Sequence, residues 1–179
     1  MLGHVPAYHN GMMRERSNGR RVARKAAKES ELHRINSIQI EWHTARRRPG
    51  LVTGEFVLDG SLLLEQCERS TKKTYDVVSP IGWTLPDYQI SFVERLLLRQ
   101  QALLPSGRRE LLVCPECADL GCGCISANVS SEADYFVWDE IGYENDYDPE
   151  MLVIFPMGRF VISKAELFHQ IRGYVPDVE

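Results

Sequence analysis

Four of the chain's five cysteines fall within eleven consecutive residues, and this cluster constrains the fold more than any other feature. The four are Cys114, Cys117, Cys122 and Cys124, and two glycines between them allow tight turns. Two cysteines with two residues between them can direct both sulfurs toward one tetrahedral ion. Sulfur-rich tetrahedral sites in a reducing compartment favour zinc. The spacing therefore predicts a Zn²⁺ knuckle formed by these cysteines.

The sequence alone does not determine all the residues that bind the predicted zinc ion. Cys122 is the natural third ligand, and whether Cys124 reaches the same ion depends on where the next strand begins. Cys67, Asp119, His43 or His169 could instead fill the remaining position. A redox-active dithiol is the competing interpretation, but it expects a C-x-x-C at a helix N-terminus, and the predicted context here is strand, loop, strand.

Charge is divided unevenly along the chain. Residues 1–49 carry eleven Lys or Arg against four Asp or Glu, whereas residues 110–158 hold eleven acidic residues and no Lys, Arg or His. Such asymmetry points to charged partners or to one end of the chain docking on the other.

The acidic stretch interleaves carboxylates with aromatic side chains. Rings supply contact area and carboxylates steer encounter, so this mixture is typical of a surface that binds a basic protein. The alternative is that the rings face the core and the acids keep the sheet soluble. Calcium is disfavoured, because no glycine follows at the position that an EF-hand requires. The predicted partner-binding residues are Glu132, Asp134, Tyr135, Asp139, Glu140, Tyr143, Glu144, Asp146, Tyr147, Asp148 and Glu150.

Periodicity predicts an α+β fold with a mostly antiparallel sheet and two core helices. Alternating apolar residues predict a strand over 37–44. Further strands are predicted over 51–58 and 110–113, a hairpin over 124–143 that turns at 130–131, and strands over 151–155 and 159–162. Helices are predicted over 61–67, over 88–103 with Asp87 as N-cap, and over 164–172 with Ser163 as N-cap.

Length and composition suit one globular domain, which we place at 36–179 after a basic extension over 1–35. Residues 20–34 favour a surface helix, but no aromatic residues interleave for base stacking, so nucleic-acid binding is a secondary hypothesis. No stretch is long enough and apolar enough for a membrane helix, and no secretory h-region follows the basic residues. With clustered, odd-numbered cysteines, this indicates a cytoplasmic protein.

Several short motifs resemble a known group of proteins. These are Leu58-Asp59-Gly60, Ser79-Pro80 with Gly82-Trp83, and CPECADLGCG followed by Trp138 and Tyr143. Together they resemble a poorly characterised bacterial family with a CPEC-x-DLGCG core, over residues 38–172. Some members are labelled oxidoreductases, although no cofactor motif is visible here. Cys124 stands where the family is expected to have a small residue, so the resemblance does not imply it as a ligand.

No catalytic residues are predicted, because the chain lacks H-E-x-x-H, G-x-S-x-G, a Walker loop and a complete dinucleotide fingerprint. Small acidic proteins of this kind are similar in type to immunity proteins that neutralise antibacterial toxins. We therefore expect a non-enzymatic binding protein that covers the basic surface of a toxin such as a nuclease. A zinc- or thiol-dependent enzyme is the alternative.

Overall fold

The computed structural model of the protein describes residues 35–174, which belong to one compact unit beginning at Ile35. The basic helix predicted over 20–34 lies outside the described residues. Between residues 35 and 174 the chain forms nine strands and three α-helices, and all strand pairs but one are antiparallel. The predicted α+β class with a mostly antiparallel sheet is therefore confirmed.

Four strands precede the first two helices, and five more strands precede the last helix. In order they are β1 (Ile35–Asn36), β2 (Ile38–Thr44), β3 (Val52–Leu58), β4 (Ser61–Leu62), α1 (Leu63–Thr71), α2 (Pro86–Leu96), β5 (Arg109–Leu112), β6 (Cys124–Glu132), β7 (Tyr135–Glu144), β8 (Val153–Ile154), β9 (Phe160–Ser163) and α3 (Lys164–Ile171). Two short 3₁₀ turns, Leu120–Cys122 and Pro149–Met151, precede β6 and β8.

The strands form two sheets. The larger has the order β1-β9-β7-β6-β5, with β8 paired to one end of β7, and the smaller has the order β2-β3-β4. The β6-β7 hairpin is the centre of the larger sheet, and its Trp138 is fully buried against Phe56 of β3, with ring centroids 5.4 Å apart. The main apolar core therefore lies between the two sheets, where the helices also contribute side chains.

A second, smaller apolar cluster lies beneath the cysteines. Its buried members are Leu104, Val113, Ala118, Leu120 and Cys124, and the partly buried rings of Trp83 and Tyr88 pack against it. This cluster packs the loop after α2 against the start of β6, and so it supports the cysteine loop from its buried side.

The boundaries of several elements differ from prediction. Helix α1 covers Leu63–Thr71 where 61–67 was predicted, and β8 covers only Val153–Ile154. Helix α2 begins at Pro86 after Leu85, not after an Asp87 cap, and it ends at Leu96. The predicted extension to residue 103 is wrong because Leu98 adopts a left-handed conformation with φ of 61°, which stops the helix. The hairpin turns at 133–134, where Lys164 N donates to Asp134 O, and not at 130–131. Ser163 caps α3 as predicted, accepting a hydrogen bond from Glu166 N.

Candidate metal centre and acidic surface

Three of the four predicted ligand cysteines come together in space. The Sγ atoms of Cys114, Cys117 and Cys122 all lie within 4.8 Å of one another, and those of Cys117 and Cys122 are 3.6 Å apart. Two sulfurs on one tetrahedral zinc, at bonds of about 2.3 Å, are separated by about 3.8 Å. A disulfide would need about 2.05 Å. The three thiols are therefore close enough to hold one metal ion, and their separation is compatible with zinc.

The loop that carries these cysteines is formed by two consecutive tight turns. Ala118 N donates to Cys114 O, and Ala118 has a left-handed φ of 57°. Asp119 Oδ1 then accepts from Gly121 N at 2.7 Å, which starts the 3₁₀ turn ending at Cys122. Gly123 follows with φ of 95°, and a Cβ there would lie 1.9 Å from Tyr143 Oη. Only glycine therefore suits the position that separates Cys122 from β6.

Cys124, predicted as a fourth ligand, lies outside the three-sulfur group. It opens β6, is fully buried in the smaller apolar cluster, and its burial raises the pKa of its thiol. The turn at Gly123 separates it from the exposed Cys122. Asp119 and Cys67 are engaged elsewhere, since Asp119 caps the turn and Cys67 is buried in α1 against Met157 Sδ. Within residues 35–174 the metal group thus offers three ligands.

The protonation of Cys122 reflects its crowding by the other two thiols. A hydrogen bond with Cys117, followed by the nearby charge of Cys114, raises the pKa of Cys122 to about 11. A negative charge close to this thiol disfavours its ionisation. A bound cation reverses this balance and releases the protons, since thiolates are the metal-binding form.

Three side chains from distant parts of the sequence hold the loop in place. Arg48 Nη1 donates to Pro115 O at 3.1 Å and lies 2.7 Å from Glu116 Oε2. Tyr88 Oη donates to Ala118 O at 3.2 Å, and Tyr143 Oη donates to Cys122 O at 3.3 Å. The loop is thereby connected to the segment after β2, to α2 and to β7.

The predicted acidic surface divides into buried and exposed carboxylates. Glu144 is buried, accepts a hydrogen bond from the Ser126 hydroxyl, and lies 2.9 Å from Arg108 Nε. Glu140 reaches toward the same guanidinium, with Oε2 3.8 Å from Arg108 Nη1. Glu144 is therefore paired with a cation inside the fold, whereas the Glu140 side chain stays 60% exposed beside the same guanidinium. Sequence reasoning missed Arg108 because it lies just outside the acidic stretch.

Other predicted partner-binding residues lie on or near the surface. Glu132, Asp134, Asp146, Tyr147 and Glu150 are exposed. Tyr135, Asp139, Tyr143 and Asp148 are half-buried, and Asp139 and Asp148 accept backbone hydrogen bonds from Glu140 N and Glu150 N. The hairpin tip carries the first two acids, and the segment after β7 carries the exposed remainder.

The segment 146–154, here called the acidic segment, also exposes apolar side chains. Tyr147 is 73% exposed, and Met151, Val153 and Ile154 are between 40% and 52% exposed. Buried Asn145 fixes the start of the segment, since its Oδ1 accepts from Asp148 N at 2.8 Å. Met151, Val153 and Ile154 were not among the predicted site residues. The sequence signal that could have indicated them is the apolar run over 151–155 inside an acidic stretch.

The cysteine loop and the acidic segment approach each other closely. The position of a Cβ on Gly121 lies 3.4 Å from Asp146 Oδ1 and 3.8 Å from Tyr147 Cδ1. Together with the hydrogen bond from Tyr143 to Cys122, this makes the candidate metal centre and the start of the acidic segment one continuous region.

No protein family, curated protein or solved structure gives a significant match to this chain. Among residues 35–174, no helix is long and apolar enough to cross a membrane.

Proposed function

We propose that this protein is a non-enzymatic binding protein of the immunity-protein type, which neutralises a basic toxin by docking on it through the acidic segment. A Zn²⁺ ion held by Cys114, Cys117 and Cys122 braces that segment. The observation that carries the proposal is the closeness of Gly121, next to Cys122, to the acidic segment: a Cβ at Gly121 would lie 3.4 Å from Asp146 Oδ1 and 3.8 Å from Tyr147 Cδ1. A metal there rigidifies the loop against which the segment rests.

The composition of the acidic segment supports a protein partner. Exposed aromatic and aliphatic side chains supply apolar contact area, and anchors such as Tyr147 contribute most of the binding energy in many interfaces. The neighbouring carboxylates of Asp146 and Glu150 attract a basic surface and repel acidic ones. Because Glu144 is buried and paired with Arg108, the exposed acids are the ones available to a partner.

A nuclease toxin is the partner class that this chemistry suits best. Nucleases bind phosphates through clustered Lys and Arg, and a rigid acidic surface can occupy that groove in place of the nucleic acid. Binding of this kind is tight at low salt and weakens as ionic strength rises.

The test begins by capturing partners from the native cell and measuring the dissociation constant of the one recovered. We expect a basic protein bound 1:1, with affinity falling as salt increases. The double substitution Asp146→Lys and Glu150→Lys should weaken binding by about a hundredfold or more, as expected for lost charge pairs that become repulsive. Isothermal titration calorimetry at two salt concentrations measures both effects.

The matched control makes the same charge change elsewhere, at the exposed residues Glu41 and Asp87. The Glu41→Lys, Asp87→Lys variant should bind the partner within a few-fold of the unmodified protein. If both double variants lose affinity equally, net charge and not the acidic segment drives the interaction. If neither loses affinity, the proposed surface is wrong.

A zinc-dependent enzyme is the second candidate, favoured by one observation. Cys117 and Cys122 are exposed, and the described residues offer three ligands, as in catalytic sites that keep a fourth position for water or substrate. Against it, the nearby carboxylates of Glu116 and Asp119 are already engaged, one with Arg48 and the other in capping the turn. The binding proposal accounts for more of the site.

A further inference from the structure

A cleft of about 330 Å³ opens beside the small sheet, between strands β2 and β3 and the segment that follows α1. Its apolar lining includes Leu62, Leu64, Val77 and Val78. The volume lies at the lower end of the range for small-molecule sites, about 300–1,000 Å³. The cleft therefore has room for one compact ligand.

One carboxyl group, that of Glu55, lines the cleft while almost entirely buried. Glu55 is only 7% exposed, in the middle of β3. Its Oε1 accepts hydrogen bonds from the Thr53 hydroxyl and, at 3.0 Å, from Ser79 N. Its Oε2 accepts no hydrogen bond from residues 35–174, so this oxygen is available to a ligand.

The surroundings of Glu55 differ from those of the other two buried glutamates. Glu110 accepts a hydrogen bond from Arg95 Nε at 2.6 Å, and Glu144 lies 2.9 Å from Arg108 Nε. In the described part of the chain, Glu55 forms no ion pair. Burial raises the pKa of Glu55 above its ordinary value, an effect that the hydrogen bonds from Thr53 and Ser79 only partly offset.

The cations around the cleft are already matched with other carboxylates. Arg46 lies 2.9 Å from Glu68, Arg47 lies 3.8 Å from Asp76, and His43 lies 3.3 Å from Glu41. Across the described residues, neither Glu55 nor Glu65, which also lines the cleft, forms an ion pair. The charge left without a partner in the cleft is therefore negative.

We infer that this cleft binds a compact organic cation, with an amine, amidine or guanidinium group against Glu55 Oε2 and an apolar body against Leu64 and Val78. A cationic donor restores the counter-charge that the fold supplies to Glu110 and Glu144 but not to Glu55. Charge-assisted hydrogen bonds to a carboxylate are strong, especially away from water. The cation is either a free small molecule or an Arg or Lys side chain of a peptide, and this inference is independent of the acidic segment.

The test uses the full chain with two isosteric probes, benzamidine, which is cationic, and benzamide, which is neutral. Methyl NMR reports binding through the signals of Leu64, Val77 and Val78. We expect benzamidine to shift these signals and benzamide to bind about tenfold or more weakly, the factor expected for losing a charged hydrogen bond. Titration with N-acetylarginine amide distinguishes the sources: binding there shows that a peptide side chain is also accepted.

The substitutions Glu55→Gln and Glu41→Gln form a matched pair. Glu41 lies directly across from Glu55 in the β2-β3 register but is exposed and does not line the cleft. Glu55→Gln should remove the preference for benzamidine, and Glu41→Gln should leave it within about twofold, as expected for an exposed charge. If Glu55→Gln does not fold, the comparison of benzamidine with benzamide on the unmodified protein still tests whether the cleft prefers a cation. Equal binding of both probes, or no shift of these methyl signals by either cation, would overturn the inference.

Discussion

The cysteine loop and the Glu55 cleft differ in how far their ionisable groups are exposed to solvent. The loop presents Cys117 and Cys122 at the surface and rests against an exposed acidic segment. The cleft holds one carboxyl group, 7% exposed, among apolar walls. The first region suits a metal ion and a large basic surface, whereas the second suits one small cation. We therefore expect burial, more than residue type, to decide what each carboxylate binds.

Removing a metal ligand should give the largest effect and should separate the loop from the cleft. We expect Cys117→Ser to reduce bound zinc from about one ion per chain to nearly none, because a structural site loses most of its affinity with one thiolate. Thermal unfolding should occur at a lower temperature, since zinc binding free energy contributes to folding. Elemental analysis and calorimetry measure the two changes.

The control for this prediction is Cys124→Ala. Cys124 is buried outside the three-sulfur group, so this variant should lose stability through packing but keep its zinc. Loss of zinc from Cys124→Ala would show that Cys124 is a ligand after all. If the unmodified protein contains no zinc, the proposal that zinc rigidifies the cysteine loop is wrong.

The buried glutamates offer the second test of the comparison. Arg108→Met leaves Glu144 buried without its cation, and breaking such a pair costs about 3–5 kcal/mol. Glu55→Gln removes a charge that has no such partner, so it should be nearly neutral or stabilising at neutral pH. Urea unfolding of both variants measures the contrast. Equal destabilisation by the two would mean that Glu55 has a counter-charge in solution.

The pH dependence of Glu55 should be the smallest effect. Its folded-state pKa is raised above the unfolded value, so its contribution to stability is fully present below the ordinary glutamate pKa of about 4.3. This contribution is lost as pH rises through the raised pKa, at no more than about 1.4 kcal/mol per pH unit. Relative to Glu55→Gln, the unmodified protein should therefore become less stable with rising pH, as measured by calorimetry between pH 4 and 8.

Two kinds of group surround Glu55 and enter this comparison. His43 faces it from β2 and lowers the pKa of Glu55 when protonated, while Glu65 and Asp76 line the same cleft. All are retained in Glu55→Gln, so the comparison isolates the Glu55 carboxylate together with its interactions with them. A saturating organic cation should abolish the pH-dependent loss, because it stabilises the ionised carboxylate. If the unmodified protein instead became more stable relative to Glu55→Gln as pH rises, the raised pKa of Glu55 would be contradicted.

Local patterns in the sequence predicted much of the fold. Alternating apolar residues located strand β2, Asp59-Gly60 marked the end of its partner β3, and Ser163 marked the start of α3. The end of α2 was not predictable in this way. Leu97 and Leu98 continue the apolar periodicity, but Leu98 turns left-handed, a choice that depends on packing.

The sequence alone also indicated the three candidate metal ligands that come together, because Cys114, Cys117 and Cys122 lie so close along the chain that short-range turns bring their sulfurs together. Only the tertiary structure decided which carboxylates are buried and which of them are paired with a cation. Glu144 is paired with Arg108, thirty-six positions earlier in the sequence, whereas Glu55 is buried beneath Ser79 and has no cationic partner among residues 35–174. Burial and pairing of charges depend on contacts between distant segments, and no local spacing encodes them.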